Sequence, residues 1–333
     1  EIRVEEGPRY YVGMVKWDGN KAMPTPVLFG LTKIQPGSVF NAEKVEQTIQ
    51  EAYGAYADLG YIYLSIRDDY AAADSTVDVT FLVTEGEPSK IHDVIITGNT
   101  RTKERVIRRQ LTVRPGDTFR RNSLIRSQRE LQQLGYFSNM QVDYKPVPGG
   151  TDIDLTLEVE DRQVGTASAG FGFSSSVGLT GFMELGHSNL FGNGQSLNLR
   201  VERGSQRNNA EISFTEPWLF GTPTTAGIDL FTTNRRFRGP TTDLEVRRTG
   251  GALRAGRPLP LAYTRLLATY RFERQTVDEA LNNSTAAPYG FRLSRTPTIS
   301  SSMSIAITRN STNHPIYPTA VSYTHLRAHE TTS

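Results

Sequence analysis

Cysteine is absent from the 333 residues. That removes disulfides, thiolate metal sites and cysteine nucleophiles, and is compatible with an oxidising compartment without requiring one. No apolar stretch approaches the ~20 residues that a membrane-crossing helix needs. Neither sign of charge dominates: the formal net charge is +2 with 22% charged residues, so no global electrostatic partner is implied and no nucleic acid is expected. The N-terminus lacks Met, a basic n-region and an apolar h-region. The chain is therefore read as starting inside a longer protein, which leaves a removed signal peptide open.

The signatures of bond chemistry are missing too. Gly172-Phe173-Ser174 lacks the spacing of a Gly-x-Ser-x-Gly elbow, and neither a phosphate loop nor a dinucleotide fingerprint occurs. His92 and His187 are isolated and read as surface or lumen residues. Asp152 and Asp154 alternate with Ile153 and Leu155, so they read as one exposed strand face, not a carboxylate pair. No enzyme activity, catalytic residue, cofactor or metal is expected. The mean hydropathy of −0.42 looks soluble, but a membrane barrel looks the same, because every second strand residue faces away from lipid.

What is present is a duplication. Gly19-Asn20 recurs as Gly98-Asn99, Pro36-Gly37 as Pro115-Gly116, and Phe40 as Phe119, at one offset. Leu59-Gly60-Tyr61 returns as Leu134-Gly135-Tyr136, and the alternation of Val77 to Gly86 returns at Ile153 to Arg162. Shared punctuation at a fixed period means one supersecondary unit used twice.

The second unit reads as strand, helix, helix, strand, strand. Ile91 to Thr97 is a β-branched run closed by Gly98-Asn99. Thr102 is expected to cap a helix carrying Val106, Ile107 and Leu111, ended by Pro115-Gly116. Asn122 or Ser123 is expected to cap a second helix, and Gly135 to close it. Strands follow at Met140 to Lys145 and Ile153 to Glu160. The first unit repeats this order: a strand at Tyr11 to Trp17, helices at Pro26 to Thr32 and Asn41 to about Leu59, and strands at Ile62 to Asp68 and Thr76 to Thr84. This layout resembles the polypeptide-transport-associated (POTRA) domain, on Gly98-Asn99, Pro115-Gly116-Asp117 with Phe119, and Leu134-Gly135-Tyr136-Phe137.

From Val164 onward about eight segments of roughly ten residues alternate, near the length of a tilted membrane strand. Leu197, Leu199 and Val201 oppose Asn198, Arg200 and Glu202; Leu266, Ala268, Tyr270 and Phe272 oppose Arg265, Thr269, Arg271 and Glu273. A soluble antiparallel sandwich would show the same alternation. The connections favour a barrel. Asn189-Leu190-Phe191-Gly192-Asn193-Gly194, Glu216-Pro217-Trp218-Leu219-Phe220-Gly221 and Arg257-Pro258-Leu259-Pro260 read as tight turns. The alternate connections, Asn234 to Asp243 and Arg274 to Tyr289, read as longer polar loops. Phe191, Trp218 and Phe220 are then candidates for a membrane-interface girdle.

The two aromatic turns, with Asn313-His314-Pro315-Ile316-Tyr317-Pro318-Thr319, make Glu1 to about Thr319 similar to the outer-membrane protein assembly family, in which POTRA units precede a β-barrel. The resemblance implies α+β POTRA repeats followed by the first eight or so strands of a transmembrane antiparallel barrel. It places the tail of a preceding POTRA at 1–7, POTRA units at 8–88 and 89–162, and half a barrel at 163–319. The stretch 320–333 lacks alternation and resembles translated sequencing adapter, so a non-native tail is expected there. The family's Arg-Gly-Phe loop signature is absent, and Phe237-Arg238-Gly239-Pro240 lies in the wrong loop.

The implied work is insertion of β-barrel proteins into the bacterial outer membrane, with the repeats in the periplasm. Unfolded outer-membrane proteins, accessory periplasmic lipoproteins and the bilayer are the implied partners. Clients would pair with strand edges by β-augmentation, at Gln141, Val142, Asp143 and Tyr144 and at the glycine-weakened first barrel strand around Gly170, Phe171 and Gly172. Arg101 to Glu130 holds ten basic residues and three acidic ones. This is either a solvated helix pair or a face for headgroups or an acidic partner, with Arg108 and Arg109 as contacts. A secretion pore of TamA or two-partner type and a soluble periplasmic POTRA scaffold are the competing readings.

Overall fold

The structure, a computed structural model, describes residues 8–175, 178–238, 242–261, 264–281, 297–310 and 323–332. They form two compact units, one of residues 1–100 and 107–162 and the other of 101–106 and 163–333.

The first unit contains the duplication as two small sheets, each with two helices. In the first repeat β1 (Tyr11–Asp18), α1 (Thr25–Leu31), α2 (Ala42–Ala57), β2 (Ser65–Ala73) and β3 (Thr76–Thr84) give the sheet order β1-β3-β2. In the second, β4 (Ile91–Thr97), α3 (Glu104–Arg108), α4 (Arg121–Leu134), β5 (Phe137–Pro146) and β6 (Ile153–Asp161) give β4-β6-β5. The first strand runs parallel to the last in each repeat. Alternation decides which side of the central strand is core. Val77, Val79, Phe81 and Val83 are buried on β3, as are Ile153, Leu155, Leu157 and Val159 on β6. Helical spacing supplies the other half of each core, with Val45, Ile49, Ala52 and Tyr56 on α2 and Leu131 on α4. Trp17 stacks on Phe81 at 4.3 Å between ring centres. Burying one such side chain stabilises by about 1.5–3 kcal/mol.

The repeat extends to single hydrogen bonds. Gly37 N–H donates to Val12 O, and Gly116 N–H to Ile91 O, both at 2.7 Å. Lys33 N–H donates to Thr48 Oγ1, and Thr112 N–H to Ser127 Oγ, both at 2.9 Å. Gly19 (φ +85) and Gly98 (φ +82) close their strands at one equivalent place. A Cβ there would lie 2.2 Å from Val83 O or 2.0 Å from Val159 O. Left-handed backbone and close approach both demand glycine.

Several helix boundaries differ from the sequence expectation. α3 ends at Arg108, well short of Leu111, and Thr102 Oγ1 accepts a hydrogen bond from Asn189 Nδ2. α4 has Arg120 in its N-cap position with no side-chain cap. Asn122 sits in the first turn and bonds to Asp58. Asn41 does cap α2, and Gly135 closes α4 at φ 69°. Tertiary partners outcompete local capping where they are nearer. Residues 1–7 lie outside the described residues.

The second unit carries one antiparallel sheet in chain order: β7 (Gly165–Ser174), β8 (Gly178–Leu190), β9 (Gln195–Gly204), β10 (Arg207–Glu216), β11 (Thr225–Arg238), β12 (Thr242–Pro258), β13 (Thr264–Leu281), β14 (Thr298–Asn310) and β15 (Tyr323–Thr332). β7 and β15 are its edges. Much of the expected long loops is strand, since β12 and β13 run to 17 and 18 residues. The connection between β9 and β10 is only Ser205 and Gln206. The expected Asn234–Asp243 loop is thus shortened by lengthening of β11 and β12, and the part of the expected Arg274–Tyr289 loop beyond Leu281 lies outside the described residues. Tyr323–Thr332 pairs with β14 although its sequence does not alternate, because backbone pairing needs no side-chain pattern. The Asn313–Thr319 turn, Gly239-Pro240 and residues 282–296 lie outside the described residues.

Register joins the alternation into rows. Leu185, Leu199, Ile212, Leu230, Gly251 and Phe272 face one another across β8 to β13. Leu197, Phe214, Ile228, Leu253, Tyr270 and Met303 form the next row. Leu230 is 56% exposed and Leu253 55%, so among the described residues no protein core covers them. The opposite face is polar and cross-linked. Arg254 pairs with Asp229 at 2.7 Å and reaches Ser213 Oγ and Thr215 Oγ1. Arg271 lies over the Phe231 ring and pairs with Glu273.

Candidate functional site

The outer strands differ in how open they are. β1 and β4 are covered at their starts: Phe40 N–H bonds to Tyr10 O, and Phe119 N–H to Ser89 O, from the turn after each repeat's first helix. Among the described residues β2 and β5 pair on one side only, with β3 and β6. β2 begins at Ser65, so Ile62–Leu64 precede the strand expected there.

All four candidate pairing residues of the second repeat lie on β5. Gln141, Val142, Asp143 and Tyr144 face Glu158, Leu157, Thr156 and Leu155 of β6. Val142 packs inward against the cluster of Ile91, Val94, Val113 and Leu155, and Tyr144 is about half exposed. Tyr144 N–H donates to Asp143 Oδ1 at 2.9 Å. A charged side chain thus satisfies an amide that an incoming strand would need, a common defence of open edges.

The other candidate strand, β7, pairs among the described residues only with β8 and is exposed along nearly its whole length. Phe171 and Phe173 are 87% and 80% exposed. The glycines differ in role. Gly170 faces Phe182, whose ring fills the place of a side chain: a Cβ on Gly170 would lie 2.8 Å from it. Gly172 has open space around it. Covering Gly170 with the Phe182 ring restores packing that glycine alone forfeits, a cross-strand relation invisible in the sequence.

The three girdle candidates sit in two turns. Phe191 and Phe220 have φ of 51° and 53°, each followed by a left-handed glycine, Gly192 or Gly221. Left-handed backbone costs a bulky residue about 1–2 kcal/mol, yet both rings are left bare, at 79% and 93% exposure. Trp218 N–H is held by Glu216 Oε1 at 2.9 Å and its side chain is half-buried. The two Leu-Phe-Gly turns differ in surroundings. Gly192 approaches Arg101 O so closely that a Cβ would lie 2.0 Å away, whereas Gly221 meets nothing within 4 Å.

The first of these turns grips residues 101–106. Lys103 N–H donates to Gly192 O at 3.0 Å, and Arg105 Nη2 to Asn193 Oδ1 at 2.6 Å. Buried Asn189 donates to Thr102 Oγ1 at 2.8 Å while its Oδ1 accepts Gly194 N–H at 2.7 Å. Sequence reasoning missed Asn189. The only local signal was an asparagine opening a turn with two glycines.

Of the basic candidates, Arg108 is exposed but ties Nη2 to Val94 O at 3.1 Å, and Arg109 is half-buried. His92, read from sequence as isolated, has a partner: its Nδ1 lies 2.8 Å from Asp154 Oδ1. That hydrogen bond, then the carboxylate's charge, holds its pKa above the ordinary value. Among the described residues no cluster of three or more acidic or histidine side chains could hold a metal.

The Omp85 superfamily domain model matches residues 189–332, and the POTRA model, described as surface antigen variable number repeat, matches 10–86 and 89–162. A provisionally named outer membrane protein assembly factor of Treponema pallidum is 30% identical, over 78% of this chain and 31% of its own length. The outer membrane protein assembly factor BamA of Neisseria meningitidis is 29% identical, over 69% of this chain and 30% of its own. The chain thus spans about a third of these relatives. The crystal structure of BamA from Haemophilus ducreyi lacking POTRA domains 1–3 superimposes with a TM-score of 0.73 over 97% of this chain and 64% of that one, at 18% identity, a likeness of fold.

Proposed function

This chain belongs to the Omp85 superfamily and carries its POTRA repeats, and from that premise we propose that it works in the assembly of outer-membrane proteins. The sheet is the membrane part, the repeats stand in the periplasm, and the work is conformational. The observation that carries this reading is the pairing of an uncovered apolar face with two open strand edges, β5 and β7.

Each edge offers unpaired N–H and C=O groups to an unfolded client. Backbone hydrogen bonds are indifferent to side chains, so one edge serves many clients. β5 holds a segment in the periplasm, through Gln141 to Tyr144. β7, around Gly170, Phe171 and Gly172, offers a template at the membrane. A client that closes its own ladder satisfies its backbone internally and turns its apolar face to lipid, so release is downhill without nucleotide. Phe191, Trp218 and Phe220 anchor the short-turn rim at the interface. The basic face with Arg108 and Arg109 meets headgroups or an accessory periplasmic lipoprotein.

Photo-crosslinkers placed one at a time along β5 and β7 of the full-length protein test this. Adducts with nascent outer-membrane proteins should alternate with strand period along β7 and be absent from the paired central strand β10. Equal labelling of β10, or none on either edge, would overturn the reading.

A further inference from the structure

The two repeats meet within the first unit at a joint that is tightly specified. Asp58 Oδ1 accepts Asn122 N–H at 2.7 Å, and its second oxygen takes the Asn122 side-chain amide. Ser89 N–H bonds to Gly60 O at 2.9 Å, and Ser89 O accepts Phe119 N–H at 3.0 Å. Arg121 lies against α2 where Gly54 has no side chain; a Cβ there would be 2.7 Å from Nη1.

These contacts hold open a cleft of about 350 Å³. Tyr53 and Tyr61 line it from the first repeat, Phe119, Leu124 and Tyr144 from the second, and Arg121 stands beside them. The walls are preset. Tyr53 OH accepts Ile66 N–H at 3.0 Å, and Phe119 and Tyr144 are tilted rings 6.2 Å apart. Tyr144 also belongs to β5, so the cleft is continuous with the open edge: one residue contributes its ring to the cleft and its backbone to the strand.

We propose that this cleft is a side-chain subsite that receives an aromatic residue of an extended chain paired to β5. The proposal rests on the edge-pairing reading above and adds a preference to it. Four aromatic rings offer edge-to-face and offset contacts that an aliphatic residue cannot return, and a guanidinium favours a ring face. The volume is at the small end of organic-ligand sites, about 300–1,000 Å³, which suits a side chain and not a folded partner. Backbone pairing alone would be blind to sequence. The subsite lets the repeats favour segments rich in aromatics.

The test uses the full chain in detergent and three extended ten-residue peptides that differ at one central position: Phe, Leu or Ala. The Phe peptide should bind about tenfold tighter than the Ala peptide, with Leu closer to Ala. Ala57→Trp, which fills the cleft from α2, should bring all three peptides level with Ala. Tyr144→Ala, which removes one wall and leaves the β5 backbone, should shrink the Phe advantage even if the tryptophan variant misfolds. Equal binding of Phe and Ala peptides to the wild type, or a Phe advantage that survives both variants, overturns the subsite. N-methylating alternate peptide amides separates the two readings. It should abolish binding of all three peptides, and full binding after N-methylation would sink edge pairing itself.

Discussion

Single residues decide how available the edges are. Asp143 competes with any incoming strand for Tyr144 N–H, so Asp143→Ala should raise client crosslinking at β5 about fivefold, the worth of one ordinary hydrogen bond of ~1 kcal/mol. Reduced crosslinking would contradict that role. His92 titrates on the same small sheet. Its folded pKa is raised by Asp154, above an unfolded value of about 6.5. Its contribution to stability is fully present below the unfolded pKa and is lost as pH rises through the folded one. Asp154→Asn should lower the His92 midpoint in an NMR titration and flatten that pH dependence. The sequence supplied both partners without pairing them: parallel β4 and β6 bring together residues 62 positions apart. Gly98 is the contrary case, legible beforehand as a turn and then required twice over, by φ and by Val159 O. Gly98→Ala should cost more than ~2 kcal/mol in denaturant unfolding. Gly116→Ala, with open space around it, should cost only the ~1–2 kcal/mol of left-handed backbone.

At the scale of elements, alternation located the central strands well, because β3 and β6 bury every second residue in their own repeat. Helix ends were less legible. Thr102 and Asn122 have the chemistry of caps, yet Asn189 and Asp58 claim them. Capping is worth ~1 kcal/mol, and the buried Asn189–Thr102 bond is costlier to leave unmade, whereas Asn122, exposed in the first turn of α4, meets Asp58 from the neighbouring repeat. Asn189→Ala should therefore remove the bonds to Thr102 Oγ1 and from Gly194 N–H, cost about 1–3 kcal/mol, and speed hydrogen exchange at the Lys103 and Gly194 amides. Unchanged exchange there would show that the turn does not fix residues 101–106. β13 marks the opposite error: its polar residues beyond Phe272 look like loop, but they continue a ladder with β12 as far as Leu281. A neighbouring strand supplies the partners that make a polar segment extended.

For the whole molecule, the proposed lipid face carries the most weight. Leu230 sits mid-row between Ile212 and Gly251. Leu230→Arg should destabilise the bilayer-folded protein by about 2–4 kcal/mol, as expected for a cation near the membrane midplane. Thr233→Arg, on the polar face opposite Asn209 and Arg248, should cost far less. Equal costs in urea titrations from vesicles would argue that the rows are not in lipid. The sequence by itself determined the duplicated unit, the alternation and the two faces, because these are periodicities of 3.6 and 2 written in local order. Only the tertiary structure decided which ring covers Gly170, that Asp143 occupies an edge amide, and that Tyr144 joins a strand edge to an aromatic cleft. Those depend on register and on repeat-to-repeat contacts, where residues distant in the chain meet and local pattern carries no information.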